Sequence, residues 1–261
     1  MEKLKLGIVG CGFLADIIVD AWRDGLLDEF EFAACLSRNS ESAKRLAERA
    51  GCVACETLDE LLALQPDYVV EAASPMALKS IAEPVLNHGS SLVVLSIGAF
   101  ADADFYEKVR QAAVRSGTRV HLASGAIGGF DVLRTATLMS GIEASISTQK
   151  GPGSLKGTSV FSERLMTDSA PSEVFSGSAK DAIALFPTKV NVAVACALAT
   201  AGAERTGVNV HSVPGFLGDD HRIEVVGEEV RVVVDIYSKT SAIAGWSVVA
   251  LLRNLVAPIV F

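Results

Sequence analysis

KLKLGIVGCGFLA, Lys3 to Ala15, is the stretch whose reading decides the fold. Leu4, Leu6, Ile8 and Val9 form a short apolar run of the kind a buried parallel strand shows. Gly10-Cys11-Gly12-Phe13-Leu14-Ala15 follows at once as G-x-G-x-x-A, and Leu14, Ile17, Ile18, Ala21 and Trp22 then recur at helical spacing. Strand, glycine turn and helix stand in the order of a dinucleotide-binding unit. Gly10 permits the tight turn, Gly12 lets backbone approach a pyrophosphate, and Ala15 keeps helix and strand close. The helix N-terminus offers N–H groups and the positive end of its dipole to phosphate. The turn residues Gly10, Gly12, Phe13 and Leu14 are therefore candidate cofactor contacts. A glycine-rich turn that binds nothing is the competing reading.

Outward from this stretch, strands and helices alternate. Glu31 to Leu36 reads as a second strand and Ser40 to Ala50 as a helix capped by Ser40. Short strands are expected at Val53 to Cys55, Tyr68 to Ala73, Ser91 to Ile97 and Arg119 to Ala123. Helices are expected at Leu58 to Leu64, Met76 to Asn87 and Asp104 to Ser116. The alternation predicts an α/β fold, a doubly wound parallel Rossmann sheet. Ligands of such sheets lie beyond the carboxyl ends of the strands, which makes Ser74, Ser96 and Gly98 cofactor-side candidates by position. At the end of the second strand an acidic residue selects NAD by holding the ribose hydroxyls. This chain has Ser37-Arg38-Asn39 there, and an arginine can pair with a 2′-phosphate. Arg38 thus leans the cofactor towards NADP, with NAD as the other option.

Ser124-Gly125-Ala126-Ile127-Gly128-Gly129-Phe130-Asp131 marks the passage to a second domain of α+β type with an open sheet. Helices are expected at Asp131 to Met139, Ser178 to Phe186 and Asn191 to Ala201. Strands are expected at Ile142 to Lys150, Val208 to Val213, His221 to Val226 and Val230 to Tyr237. The division predicted is a dinucleotide-binding domain over 1–124, a catalytic and dimerisation domain over 125–239, and a final helix within 240–261 that docks back on the first domain.

With 261 residues, half of them hydrophobic, the chain can bury two cores. A net charge of −8 and the lack of any basic run argue against a nucleic-acid partner. Glu2, Lys3 and Lys5 lead straight into the first strand without a signal peptide, and the apolar tail from Ala242 to Leu252 is too short for a bilayer. Five cysteines point to a reducing, cytoplasmic setting. Cys52 and Cys55 form a C-x-x-C, but no second pair follows at zinc spacing. No metal is expected.

Four histidines offer proton chemistry, His88, His121, His211 and His221. His221 starts a strand beside Asp219 and Asp220, where neighbouring carboxylates are expected to raise its pKa. Lys189 and Asn191, just after Pro187 at a helix start, are placed to hold an anionic substrate or a carboxamide.

Several segments together resemble the L-aspartate dehydrogenase family. They are the opening G-x-G-x-x-A, Leu95-Ser96-Ile97-Gly98-Ala99, Gly125 to Asp131, Phe186-Pro187-Thr188-Lys189-Val190-Asn191-Val192, His221-Arg222-Ile223-Glu224 and Lys239-Thr240-Ser241. The resemblance implies NAD(P)-dependent oxidation of L-aspartate to iminosuccinate, or the reverse amination of oxaloacetate. It implies a small amino acid as substrate, a homodimer and a link to NAD biosynthesis. It assigns cofactor contacts to Ala126 and Asn191 and the active-site role to His221. Lys150, Lys189 and Lys239 are the cations available for a dicarboxylate. The chain departs from the family pattern at Val213, Asp219 and Lys189. Two alternatives follow: a dehydrogenase or imine reductase of the same architecture acting on another amino acid, and a non-catalytic nucleotide sensor.

Overall fold

A computed structural model describes residues 3–186 and 190–260. The chain divides into two compact units, Met1–Gly125 with Ala244–Phe261, and Ala126–Ile243. In the first unit the elements run β1 (Leu4–Val9), α1 (Phe13–Arg23), β2 (Phe30–Leu36), α2 (Ser40–Ala50), β3 (Val53–Cys55) and α3 (Leu58–Ala63). They continue with β4 (Tyr68–Glu71), α4 (Pro75–Asn87), β5 (Ser91–Val94), α5 (Ala103–Ser116) and β6 (Val120–Leu122). The strands form a six-stranded sheet in the order β3-β2-β1-β4-β5-β6, and every pairing is parallel. This is the doubly wound arrangement, with its reversal of strand order between β1 and β4. Burial on both faces explains why β1, β4 and β5 read as nearly unbroken apolar runs.

The local chemistry of the turns differs from the sequence expectation at two places. Asn39, not Ser40, caps α2: its Oδ1 accepts from the N–H groups of Glu41 at 3.0 Å and Ser42 at 3.2 Å. The strand expected over Ser91 to Ile97 stops at Val94 and gives way to a 3₁₀ turn over Ile97–Ala101. The cause is Glu71, whose carboxylate takes the backbone N–H of Ser96 and so removes it from any ladder.

The second unit holds α6 (Phe130–Met139), β7 (Ile142–Lys150), β8 (Ser172–Ser178), α7 (Ala179–Leu185), α8 (Asn191–Ala199), β9 (Thr206–Ser212), β10 (Asp219–Gly227) and β11 (Arg231–Ser238). Its sheet runs β11-β10-β7-β9-β8, antiparallel except for the β7–β9 pair. One face buries Ala144, Ile146, Thr148, Val208, His221, Ile223 and Val225. The other carries the ion pairs Arg222–Asp235 and Arg231–Glu224 together with exposed Val226, Val233 and Tyr237. Strand β8 has no counterpart in the sequence reading. It is an edge strand with a register shift between Glu173 and Phe175, so the alternation that betrays a strand is broken within seven residues.

The last helix, α9 (Ala242–Val256), contributes Val248, Val249 and Leu252 to the core of the first unit, alongside Leu6, Ile8, Ala15 and Ile18. Gly245 belongs to this packing, since a Cβ there would lie 3.0 Å from Ile17. The N–H of Gly125 donates to Ser247 Oγ at 3.0 Å. Among the described residues no helix is long and apolar enough to cross a membrane.

Candidate active site

The glycine turn of the first unit has the form that phosphate binding requires. Gly10 sits at φ +101°, and a Cβ there would fall 2.5 Å from the Ala72 carbonyl oxygen. Only glycine meets both demands. Gly12 is the N-cap of α1, and a Cβ built on it meets nothing within 4 Å. The turn is thus a cradle open on the side where a pyrophosphate approaches, and no side chain among the described residues caps the helix. Phe13 is exposed and Leu14 half-buried. Arg45 buttresses the turn: its guanidinium grips Asp16 at 2.7 and 3.0 Å and donates to the Cys11 carbonyl at 3.2 Å. These observations fit a dinucleotide. Arg38 is exposed just past β2.

At the carboxyl ends of β4 and β5 lie the other candidates. Ser74 caps α4, its Oγ accepting from the Ala77 N–H at 3.2 Å. Ser96 is buried and Gly98 lies half-buried in the 3₁₀ turn. Between them is a residue that the sequence reading passed over. Glu71 is fully buried, and its Oε1 accepts from the Ala73 N–H and the Ser96 hydroxyl, both at 2.8 Å, while Oε2 accepts from the Ser96 N–H at 3.0 Å. Burial pushes its pKa up, and these donors pull against that. The signal was present in the sequence as a single carboxylate inside the apolar run Tyr68-Val69-Val70-Glu71-Ala72-Ala73.

In the second unit, strand register assembles a polar cluster. His221 pairs with Thr148, and Asp219 with Lys150, across β10 and β7. Both pairs share a face because members on one strand are two residues apart. His221 Nδ1 lies 2.9 Å from Thr148 Oγ1, and Lys150 Nζ lies 2.8 Å from Asp219 Oδ1. Gly218, at φ +88°, lets the turn before them touch the chain after β11; a Cβ there would stand 2.0 Å from the Ser238 carbonyl oxygen.

The structure corrects the electrostatic expectation for His221. Burial, and then the Lys150 charge, outweigh Asp219 and hold the imidazole down at about 4, not above its ordinary value. The carboxylate counted on to raise it is engaged by Lys150. His221 is therefore neutral at pH 7. Lys239 is exposed beyond β11. Asn191 is exposed at the first position of α8, and Ala126 is half-buried at the first residue of its unit. Lys189, with Pro187 and Thr188, lies outside the described residues.

The remaining histidines stand apart from this cluster's hydrogen bonds. His88 ends α4, His121 packs on Tyr68 with 6.0 Å between ring centroids, and His211 faces Glu173 at 3.7 Å. All five cysteines are free thiols, and no group of three or more His, Cys, Asp or Glu side chains among the described residues is arranged to hold a metal.

Comparison with known proteins places this geometry in context. The profile of "Aspartate dehydrogenase, C-terminal" matches residues 131–255, and that of "Homoserine dehydrogenase, NAD binding domain" matches residues 10–123. The L-aspartate dehydrogenase of Methanococcus maripaludis is 33% identical over 265 residues, covering 98% of each chain. That of Methanocaldococcus jannaschii is 33% identical over 267 residues with the same coverage. The crystal structure of aspartate dehydrogenase from Thermotoga maritima superposes with a TM-score of 0.81 at 27% identity and covers 100% of both chains. GenD2 from gentamicin A biosynthesis, solved in complex with NAD, shares the fold alone, at 15% identity and a TM-score of 0.56 over 97% of this chain and 86% of its own.

Proposed function

The chain belongs to the L-aspartate dehydrogenase family, and from that premise we propose that it oxidises L-aspartate to iminosuccinate with NAD(P)⁺, or runs the reverse reductive amination of oxaloacetate with ammonia. The observation that carries this reading is likeness along the whole chain, at 33% identity over 98% of its length, joined to an open glycine cradle in one unit and a His–Thr and Lys–Asp cluster in the other.

A bound nicotinamide supplies the acceptor for the hydride that leaves the substrate Cα. The protein's own residues do the rest. The N–H groups at the start of α1 receive the pyrophosphate, with Gly10, Gly12, Phe13 and Leu14 shaping the approach. Ser74 and Gly98 line the exits of β4 and β5, and Ala126 and Asn191 are the second unit's cofactor contacts. Arg38 favours NADP(H) as a partner at least equal to NAD(H), because a guanidinium complements a 2′-phosphate and no acidic side chain opposes it at that position. His221, neutral at pH 7, is free to accept a proton from the substrate ammonium as the carbon–nitrogen double bond forms, and Thr148 fixes the orientation of its ring. Lys150, Lys189 and Lys239 provide positive charge for the two carboxylates. Lys150 reaches them at the expense of its bond to Asp219.

The solvent-facing side of the second unit's sheet is where a second copy packs in this reading, giving a homodimer. Five free thiols fit a reducing cytoplasm, and the imine product fits a role in NAD biosynthesis.

The test is a screen of amino acids and oxo acids with both cofactors, run beside His221→Ala. Turnover of aspartate that falls about a hundredfold to ten-thousandfold in the variant is expected. Activity that survives the substitution removes the histidine from the chemistry. Turnover of another amino acid, with none of aspartate, replaces the substrate, and cofactor binding without any turnover leaves a sensor.

A further inference from the structure

Glu71 is fully buried at the end of β4, and the chemistry proposed above makes no use of it. A carboxylate removed from water is tolerated only where donors replace its hydration. Here they come from two different loops. The Ala73 N–H belongs to the segment leaving β4, and the N–H and hydroxyl of Ser96 belong to the segment leaving β5. The Glu71 carbonyl adds a third tie by accepting from the Leu95 N–H at 3.2 Å.

The β4 segment is also the wall against which the glycine turn is built. The Ala72 N–H donates to the Val9 carbonyl at 2.8 Å. A Cβ on Gly10 would lie 2.5 Å from the Ala72 oxygen and 2.8 Å from the Ala73 nitrogen, so turn and wall are in direct contact. The Ala73 nitrogen held by Glu71 is thus the atom that Gly10 packs beside. All of this occurs where the strand order reverses, between β1 and β4, the place at which such sheets take their ligands.

We infer that Glu71 is a positioning residue of the dinucleotide site, bolting the β4 and β5 exit loops together and holding the Ala72–Ala73 peptide against Gly10 so that the crest is shaped before cofactor arrives. The inference rests on the reading of this crest as the NAD(P) site. The side chain has to be a glutamate. Its partners are backbone N–H groups and a hydroxyl, all donors, and a carboxylate offers two acceptor oxygens with no donor to oppose them. A glutamine turns an NH₂ group towards one of those N–H donors, and an aspartate falls one methylene short.

The test uses the full chain as wild type, Glu71→Gln and Ser96→Ala, with NAD(P)H dissociation constants read from cofactor fluorescence. Michaelis constants for cofactor and amino acid and the melting temperature without cofactor complete the set. In Glu71→Gln, cofactor Kd and KM are expected to rise at least about tenfold, the loss of one hydrogen bond to a charged group. The amino-acid KM is expected to stay within about twofold. Ser96→Ala, which loses the hydroxyl but keeps the N–H, is expected to fall between wild type and Glu71→Gln. Wild-type cofactor affinity in Glu71→Gln overturns the inference, as does a parallel movement of both Michaelis constants with the melting temperature. If Glu71→Gln does not fold, unchanged cofactor affinity in Ser96→Ala overturns it. A wild-type protein that binds no NAD(P)H at all refutes the reading of the crest itself, which no behaviour of the variants alone can do.

Discussion

Acidification tests the second unit's cluster most directly, because the structure keeps His221 neutral well below the pH at which an ordinary histidine takes up a proton. Its imidazole is 2% exposed and its pKa is held at about 4, against 6.5 for the free side chain, by burial first and the Lys150 charge second. At pH 7 only about one molecule in a thousand carries the charged ring. Because the folded-state value is depressed, the folded protein binds fewer protons than the unfolded chain between these two pH values. The stability present above pH 6.5 is therefore lost as pH falls towards 4, and the gap corresponds to about 3 kcal/mol. The assay is an NMR titration of the ring, assigned by comparison with His221→Gln. Urea unfolding of both proteins at pH 7 and pH 4 follows. The wild type should lose about 3 kcal/mol more than the variant across that interval. Lys150→Met should raise the ring's pKa, since Asp219 then acts on it unopposed. A His221 that titrates at or above 6.5, or equal acid sensitivity in wild type and His221→Gln, refutes the lowering of its pKa by burial and Lys150.

Gly12→Val should abolish NAD(P)H binding in calorimetry and leave the melting temperature of the cofactor-free protein close to that of wild type, because the space over Gly12 is open within the protein. Arg38→Ala should weaken NADP(H) by about tenfold, the loss of one charge-assisted contact, and leave NAD(H) nearly unchanged; equal effects on the two would remove Arg38 from ribose-phosphate recognition. Light scattering should give twice the monomer mass at micromolar concentration. The charge-reversed Arg222→Glu, which breaks the pair with Asp235 on the solvent-facing side of the sheet, should shift that mass downward if this face is the interface.

Sequence by itself determined the elements with strong, local signatures. The apolar run from Leu4 to Val9, the glycines at 10 and 12 and the helical spacing after them encode one strand–turn–helix unit. Their physical requirements are local: a positive φ, an absent Cβ and one buried stripe. The same local logic marked the alternating strands that become β10 and β11. Strand β8 was not legible, because an edge strand with a bulge and few apolar residues leaves no period to detect. What only the tertiary structure decided was which polar groups meet. Nothing in the chain between Thr148 and His221, 73 residues apart, announces that their side chains lie 2.9 Å from each other; the β7–β10 register does that. The charge state of His221 depended on it too. From the sequence, Asp219 was a neighbour that would raise the pKa; in the fold Lys150 takes Asp219, burial governs, and the sign reverses. Glu71 shows the same division. Its place in an apolar strand was visible, but the role inferred for it depends on Ser96, which it bonds, and on Gly10, which packs beside the Ala72–Ala73 peptide. These meet only because a parallel sheet brings the ends of β1, β4 and β5 to one edge.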